Sequence, residues 1–376
     1  MGNCFQKPVN NLSSTNNAPN QAVGNNEERN EPMIENCPAM ISETVTPNLK
    51  KFTFADLKKA TGNFRPTTVV GEGDFGMVFR GWVDGETYAP SKVGVGIAIA
   101  IKKSIPNRVH GLKEWQAKVN LLDKFNHPNL VKLLGYCWED KEFLLVYEYM
   151  EKGSLENHLF RIGKKVLPWD TRIKIAIEAA QGLVFLHATG MITIYKDIIS
   201  SDILLDKDFN AKLSGFGQAN LRPANDDDSC VPTGIVVSYD FGQANLGPAN
   251  GYPSTIIETY HYAAPEYITT DPLYVKNNVY SFGVVLLEMI TGLPVLDIDR
   301  ASLQHNLVER ARPALTDKTR LQEIIDPRLE TNYPSKGATE ASKLILHCVE
   351  QDPKNRPSME EVLTSLKYIS TIKTKS

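Results

Sequence analysis

The chemistry of the chain starts with glycines. Gly71-Glu72-Gly73-Asp74-Phe75-Gly76-Met77-Val78 follows the strand-like pair Val69-Val70 and fits the pattern G-x-G-x-x-G-x-V. Where side chains are missing, backbone N–H groups can come close to a phosphate. Alone, such a run is as readily a plain glycine turn. Ala100-Ile101-Lys102 follows in a second strand-like run, supplying an ammonium group for the same anion. A dinucleotide-binding turn would lead from strand straight into helix. Here the loop leads from strand to strand, which favours a hairpin closing over phosphates.

The elements that must position these residues divide unevenly. Short β-rich runs occur at Val69-Val70, Met77-Val78-Phe79, Gly96 to Ile101 and Phe143 to Tyr147. One helix interrupts them, because Trp115, Val119, Leu122 and Phe125 recur every three or four residues and share a face. After Leu155 the pattern is mainly helical, with stretches predicted at Trp169 to His187, Val279 to Thr291, Thr339 to Glu350 and Ser358 to Ile369. The spacing predicts an α+β chain, a small β-rich half before a larger helical one. Ahead of it, Phe54, Leu57, Ala60 and Phe64 predict an extension helix within 51–68. Residues 1–50, rich in Asn, Pro, Ser and Glu, bury too little apolar surface to offset ordering entropy and read as a flexible tail.

Composition excludes several classes. Lys plus Arg number 41 against 44 Asp plus Glu in 376 residues, so no basic excess draws nucleic acid. Cys4, Cys37, Cys137, Cys230 and Cys348 are too few and scattered for a disulfide framework, and no C-x-x-C pair suggests zinc. No apolar run approaches the roughly 20 residues of a membrane-spanning helix. One internal repeat is visible: Phe216 to Leu221 recurs as Phe241 to Leu246, and Pro223-Ala224-Asn225 as Pro248-Ala249-Asn250. Two copies are too few for a solenoid and read as a local duplication inside a loop.

Tyr195-Lys196-Asp197, Asp202, Gly215-Phe216-Gly217 and Ala264-Pro265-Glu266 follow the glycine loop and Lys102 in the order of protein-kinase signatures. With Phe52 to Leu57, His127-Pro128-Asn129-Leu130-Val131, Gly153 to Phe160 and Tyr280 to Val284, the chain resembles the plant receptor-like cytoplasmic kinases related to immune-receptor kinases. The resemblance covers roughly residues 50 to 370. It implies a bilobal protein-kinase fold over 69–370, with an N-lobe to about 148, a C-lobe from about 149, an activation-segment insertion at about 215–263 and a short tail, 371–376. It assigns nucleotide contacts to Gly71, Glu72, Gly73, Gly76, Val78 and Lys102, to Glu148 and Met150 where the lobes meet, and a gatekeeper position to Tyr147.

Several positions depart from the family pattern. Lys118 stands where the family has the Glu that pairs with the strand lysine. Two ammonium groups about 4 Å apart cost roughly 4 kcal/mol at an effective dielectric near 20. The helix is therefore expected to swing outward, or Lys118 to turn back to Glu114. Asp197 keeps the catalytic-base position, but the lysine two residues on is Ile199, and the magnesium-binding Asn is Asp202, which still offers oxygen to a hard cation. Gly215 replaces the magnesium-bridging Asp, and Asn278 the Asp that hydrogen-bonds the catalytic-loop backbone. The expectation from these losses is a catalytically inactive kinase with weak ATP binding, a doubtful magnesium site, and Asp197 retained without function.

Met1-Gly2-Asn3-Cys4 resembles an N-myristoylation signal at Gly2 with a palmitoylatable Cys4 beside it, the two signals that stable anchoring needs. The reading is a pseudokinase tethered at the cytoplasmic face of the plasma membrane and docking on receptor kinases or active cytoplasmic kinases. The alternatives are a low-activity Ser/Thr kinase using ATP, and a decoy substrate for pathogen enzymes. The second Asp240-Phe241-Gly242 copy is expected to be an exposed insertion.

Overall fold

The computed structural model describes residues 49–73, 76–104, 112–139, 142–161, 163, 165–189, 191–194, 197–215, 220–223, 262–268, 275–295 and 306–373. The N-terminal tail, with Gly2 and Cys4, and the second Phe-Gly-Gln-Ala-Asn-Leu copy lie outside these residues.

The β-rich half is one six-stranded sheet in the order β1-β5-β6-β4-β3-β2. Its strands are β1 (Lys50–Lys51), β2 (Val69–Gly73), β3 (Gly76–Val83), β4 (Ile97–Ser104), β5 (Leu133–Glu139) and β6 (Glu142–Glu148). Neighbours run antiparallel except for β1, which pairs parallel to β5. Alternation along the strands gives the sheet two faces. On one face Ile99, Ile101, Leu144 and Val146 pack with Phe52, Leu57 and Ala60 around α1 (Phe54–Ala60), so the extension helix covers that face. Burying a Leu or Phe side chain contributes about 1.5–3 kcal/mol, so Phe52 and Leu57 suffice to fix it. Thr53 caps α1 by accepting from the Asp56 N–H at 3.0 Å, and Glu139 accepts from the Phe54 N–H at 2.7 Å.

The opposite face carries Lys102 between its cross-strand partners Val78 and Leu145. Against it packs α2 (Leu112–Asp123), through Trp115, Val119 and Leu122. Trp115 meets Phe143 with ring centroids 5.3 Å apart.

The helical half comprises α3 (Leu155–Leu159), α4 (Trp169–Ala188), α5 (Val275–Thr291), α6 (Leu307–Thr316), α7 (Ser335–Cys348) and α8 (Met359–Thr371). Every residue of α5 from Asn277 to Thr291 is buried, so this helix is the central post of the half. Ser358 and Glu361 form a reciprocal capping box that starts α8. Arg172 on α4 is buried against Asp326 and donates to the carbonyls of Leu167 and Met289, which joins α4 to the end of α5. The division into a small sheet and a larger helical half is the one that the apolar spacing predicts.

Between the halves lie short strands: β7 (Gly153–Ser154), β8 (Met191–Ile194), β9 (Ile203–Leu205), β10 (Ala211–Leu213) and β11 (Asn220–Pro223). They form a three-stranded β10-β9-β7 sheet and a β11-β8 pair. The first copy of the duplicated segment supplies β11, which pairs antiparallel with β8 just ahead of Asp197.

Candidate functional site

The roof of the cleft is the glycine hairpin. Gly71 pairs with Val78, Glu72 with Met77 and Gly73 with Gly76, so the phosphate-loop residues are held in sheet register on β4. Gly76 has φ 126°, and a Cβ there would lie 1.9 Å from the Lys103 carbonyl oxygen. No other residue fits that approach. Behind the roof Ala100 pairs with the partly buried Tyr147, whose phenol desolvation pushes upward in pKa.

At the junction of the halves Met150 is buried and its carbonyl accepts from the Gly153 N–H at 3.1 Å. The Glu148 carboxylate is already engaged by protein groups. It accepts from the Lys132 N–H at 2.7 Å and pairs with Lys212 at 2.7 Å. Any nucleotide contact at Glu148 is therefore left to its backbone. Arg80, which the sequence reading passed over, lies 4.7 Å from the ring centroids of both Trp82 and Tyr149 and braces the junction.

The floor is built from the loop after β8. Asp197 is buried there, 8% exposed. The Ile198 N–H donates to Ser281 Oγ at 3.0 Å, and the Ser281 hydroxyl donates to the Asn278 carbonyl at 3.2 Å. Asn278 Oδ1 faces His187 Nε2 at 3.1 Å. Asp202 is fixed through its backbone, since the Ser214 N–H and hydroxyl donate to its carbonyl at 2.8 and 2.9 Å. Gly215 follows with φ 82°, a left-handed conformation that Asn and Asp tolerate better than other side chains.

Lys102 and Asp202 lie near enough for their charges to interact. Burial holds the Lys102 ammonium below the usual lysine range, and the Asp202 carboxylate acts in the opposite sense. Lys118 is there too. Burial, followed by the charge of Lys102, lowers its pKa from 10.5 to about 8. The expected outward swing of the helix is absent: Trp115 and Val119 are each only 2% exposed, so α2 is docked. The expectation weighed Coulomb repulsion alone. Burial of Trp115, Val119 and Leu122 outweighs it.

Below pH 8 Lys118 is charged in both the folded and the unfolded chain, and the folded chain bears the desolvation cost. Between about 8 and 10.5 the unfolded chain holds the proton that the folded one has lost, so stability rises with pH through that window. Lys118→Met is expected to raise the unfolding free energy by about 1–3 kcal/mol at pH 7, a gain that shrinks toward pH 10. Denaturant unfolding at pH 7 and pH 10 checks this; a destabilised variant at pH 7 contradicts it.

Further residues organise the activation-segment end, and sequence reasoning missed them. The Tyr262 hydroxyl donates to Glu288 Oε1 at 2.6 Å, the Val295 N–H donates to the same oxygen at 2.9 Å, and Tyr262 Oη lies 3.4 Å from Ser200 Oγ. Burial raises the Glu288 carboxyl to about 7. Glu266 is clasped by Arg356 at 2.6 and 2.7 Å. Only the family motif at Ala264-Pro265-Glu266 signalled any of this.

Residues 64–368 match the protein kinase domain family. The chain belongs to the protein kinase family. It is 50% identical over 324 residues to the probable serine/threonine-protein kinase CST of Arabidopsis thaliana, covering 86% of this chain and 72% of the relative. To the probable serine/threonine-protein kinase PBL3 of the same plant it is 47% identical, over 87% and 72% of the two chains. To the Arabidopsis serine/threonine-protein kinase BIK1 it is 46% identical, over 85% and 76%. These matches correct the expectation of an inactive protein. Relatives 46–50% identical to this chain over the aligned residues are named as serine/threonine-protein kinases, and residues 64–368 match the protein kinase domain. Despite the losses at Lys118, Ile199 and Gly215 taken together, Asp197 remains buried in its loop and the Lys102 ammonium still senses the Asp202 carboxylate.

The family in general uses ATP and magnesium. The donor set here fits one magnesium ion, with the Asp202 carboxylate and the nucleotide's own oxygens as ligands, because magnesium commonly takes one or two protein carboxylates. Gly215 adds no side chain to that set, and among the described residues no group of three or more His, Cys, Asp or Glu is gathered to hold an ion.

Proposed function

We propose that this chain is a slow, ATP-dependent serine/threonine protein kinase of the receptor-like cytoplasmic group, acting beside receptor kinases or other cytoplasmic kinases. The observation that carries the reading is Asp197. It is buried in a loop anchored on α5 through Ile198 and Ser281, the setting in which a carboxylate can orient a substrate hydroxyl and accept its proton. Lys102 and the glycine hairpin hold the nucleotide phosphates. Ile199 and Gly215 remove two of the family's charged groups, which makes transfer slow. Incubation with ATP and a generic protein substrate, followed by mass spectrometry, should find phosphoserine or phosphothreonine. None above the level of an Asp197→Asn variant would overturn the reading.

Attachment to the cytoplasmic face of the plasma membrane, by lipids on Gly2 and Cys4, belongs to the same proposal. Among the described residues no helix is long and apolar enough to cross a membrane. One acyl chain gives only marginal binding, so both positions are needed. A Gly2→Ala variant tagged at its C-terminus is expected to move from the membrane to the soluble fraction; an unchanged distribution removes the lipid argument.

A further inference from the structure

Lys118 follows Trp115 by three residues and precedes Leu122 by four, so it belongs to the α2 face that packs on the sheet. That sheet face is the one from which Lys102 projects beneath the glycine hairpin. The two ammonium groups are close enough for their charges to repel. Among the described residues Lys118 makes no ion pair, and the side chain of Glu114, one turn earlier, lies outside them.

The charge balance gives this placement a use. Against the family pattern, Lys118 in place of Glu and Gly215 in place of Asp make the cleft three charges more positive. Ile199 for Lys and Asp202 for Asn take two back, leaving one net positive charge gained at these four positions, before counting Asn278 on α5, which replaces a further Asp. The added charge is covalent, and the carboxylate that was lost is one that elsewhere recruits a metal ion. A triphosphate needs its negative charge neutralised whichever cation supplies the neutralisation.

We propose that Lys118 is a built-in counter-cation for the phosphates of a bound nucleoside triphosphate, standing in for one of the magnesium ions that such clefts use. It deepens the kinase reading and rests on it. The consequence is a cleft that takes metal-free ATP, with magnesium adding affinity only weakly.

Calorimetric titration of the full chain with ATP, in excess magnesium and in EDTA, tests this. The wild type is expected to bind in both, with magnesium improving the dissociation constant less than about tenfold. Lys118→Met, which should fold at least as well, is expected to lose about tenfold or more in EDTA, the scale of one charged hydrogen bond, and less than about threefold in magnesium. Lys118→Glu should shift binding further toward magnesium dependence. EDTA affinity of Lys118→Met within about twofold of wild type would overturn the proposal. So would a wild type that binds ATP only with magnesium, a result that leaves the kinase reading intact. Binding in both conditions without phosphate transfer would overturn the kinase reading and uphold the role of Lys118.

Discussion

The double variant Lys118→Glu, Gly215→Asp is expected to transfer phosphate about 10²–10³-fold faster than the wild type in saturating magnesium and ATP, the scale on which single preorganised electrostatic groups act. Two observations make the pair compatible with the fold. α2 is already docked and Lys118 already senses the charge of Lys102, so a Glu at position 118 would replace a repulsive interaction with an attractive one. Position 215 has φ 82°, where Asp is among the side chains best tolerated, and Ser214 on its N-terminal side is held to the Asp202 carbonyl. Either change alone is expected to yield much less. Gly215→Asp by itself leaves Lys102 facing Lys118, and Lys118→Glu by itself leaves the metal with one protein carboxylate. Effects within one catalytic unit are not additive, so the comparison of both singles with the double carries the test. A double variant no faster than the better single would show that the rate is limited elsewhere, with Ile199 the first residue to examine.

Arg356→Ala is expected to lower the unfolding free energy by about 3–5 kcal/mol, because it takes the guanidinium away from a buried ion pair. Arg356 is 2% exposed. Besides its two contacts with Glu266, it donates to the carbonyls of Glu350 at 2.8 Å, Lys276 at 3.2 Å and Gln351 at 3.3 Å, and lies 4.9 Å from the Tyr280 ring centroid. One side chain thus ties the end of the activation segment to α5 and to the turn after α7. Alanine would remove both guanidinium contacts with Glu266 and the donors to three carbonyls at once. Thermal unfolding should show a midpoint lower by roughly 6–10 °C. A loss below about 1 kcal/mol would mean that water replaces the guanidinium and that the pair is only peripheral.

Lys102 could be read from the sequence because its strand alternates and the glycine hairpin precedes it at a fixed interval. Asp197, Asp202 and Gly215 could be read because the loop that carries them has the family's spacing, and β10 and β11 now hold that loop in register. The behaviour of Lys118 was not legible. Its identity announced repulsion, but whether a helix yields to repulsion depends on what its other residues bury, and the depth of Trp115 and Val119 is a tertiary fact. Ser281 and Glu288 were hidden for a related reason: their partners, Ile198 and Tyr262, are 83 and 26 residues away. β5 also escaped notice, since Gly135 interrupts its apolar alternation. Helix ends drifted by a few residues where fraying outweighs periodicity, as at α7, which begins at Ser335 and not at Thr339.

The central claim is that this rearranged cleft still transfers phosphate. Its most direct measurement is the rate of label transfer from γ-labelled ATP to protein by the purified full chain, beside Asp197→Asn prepared identically. The account predicts slow, linear transfer by the wild type that falls about 10²-fold or more in Asp197→Asn, where the carboxylate that accepts the substrate proton is gone. Equal rates from the two proteins, at any level, would contradict it.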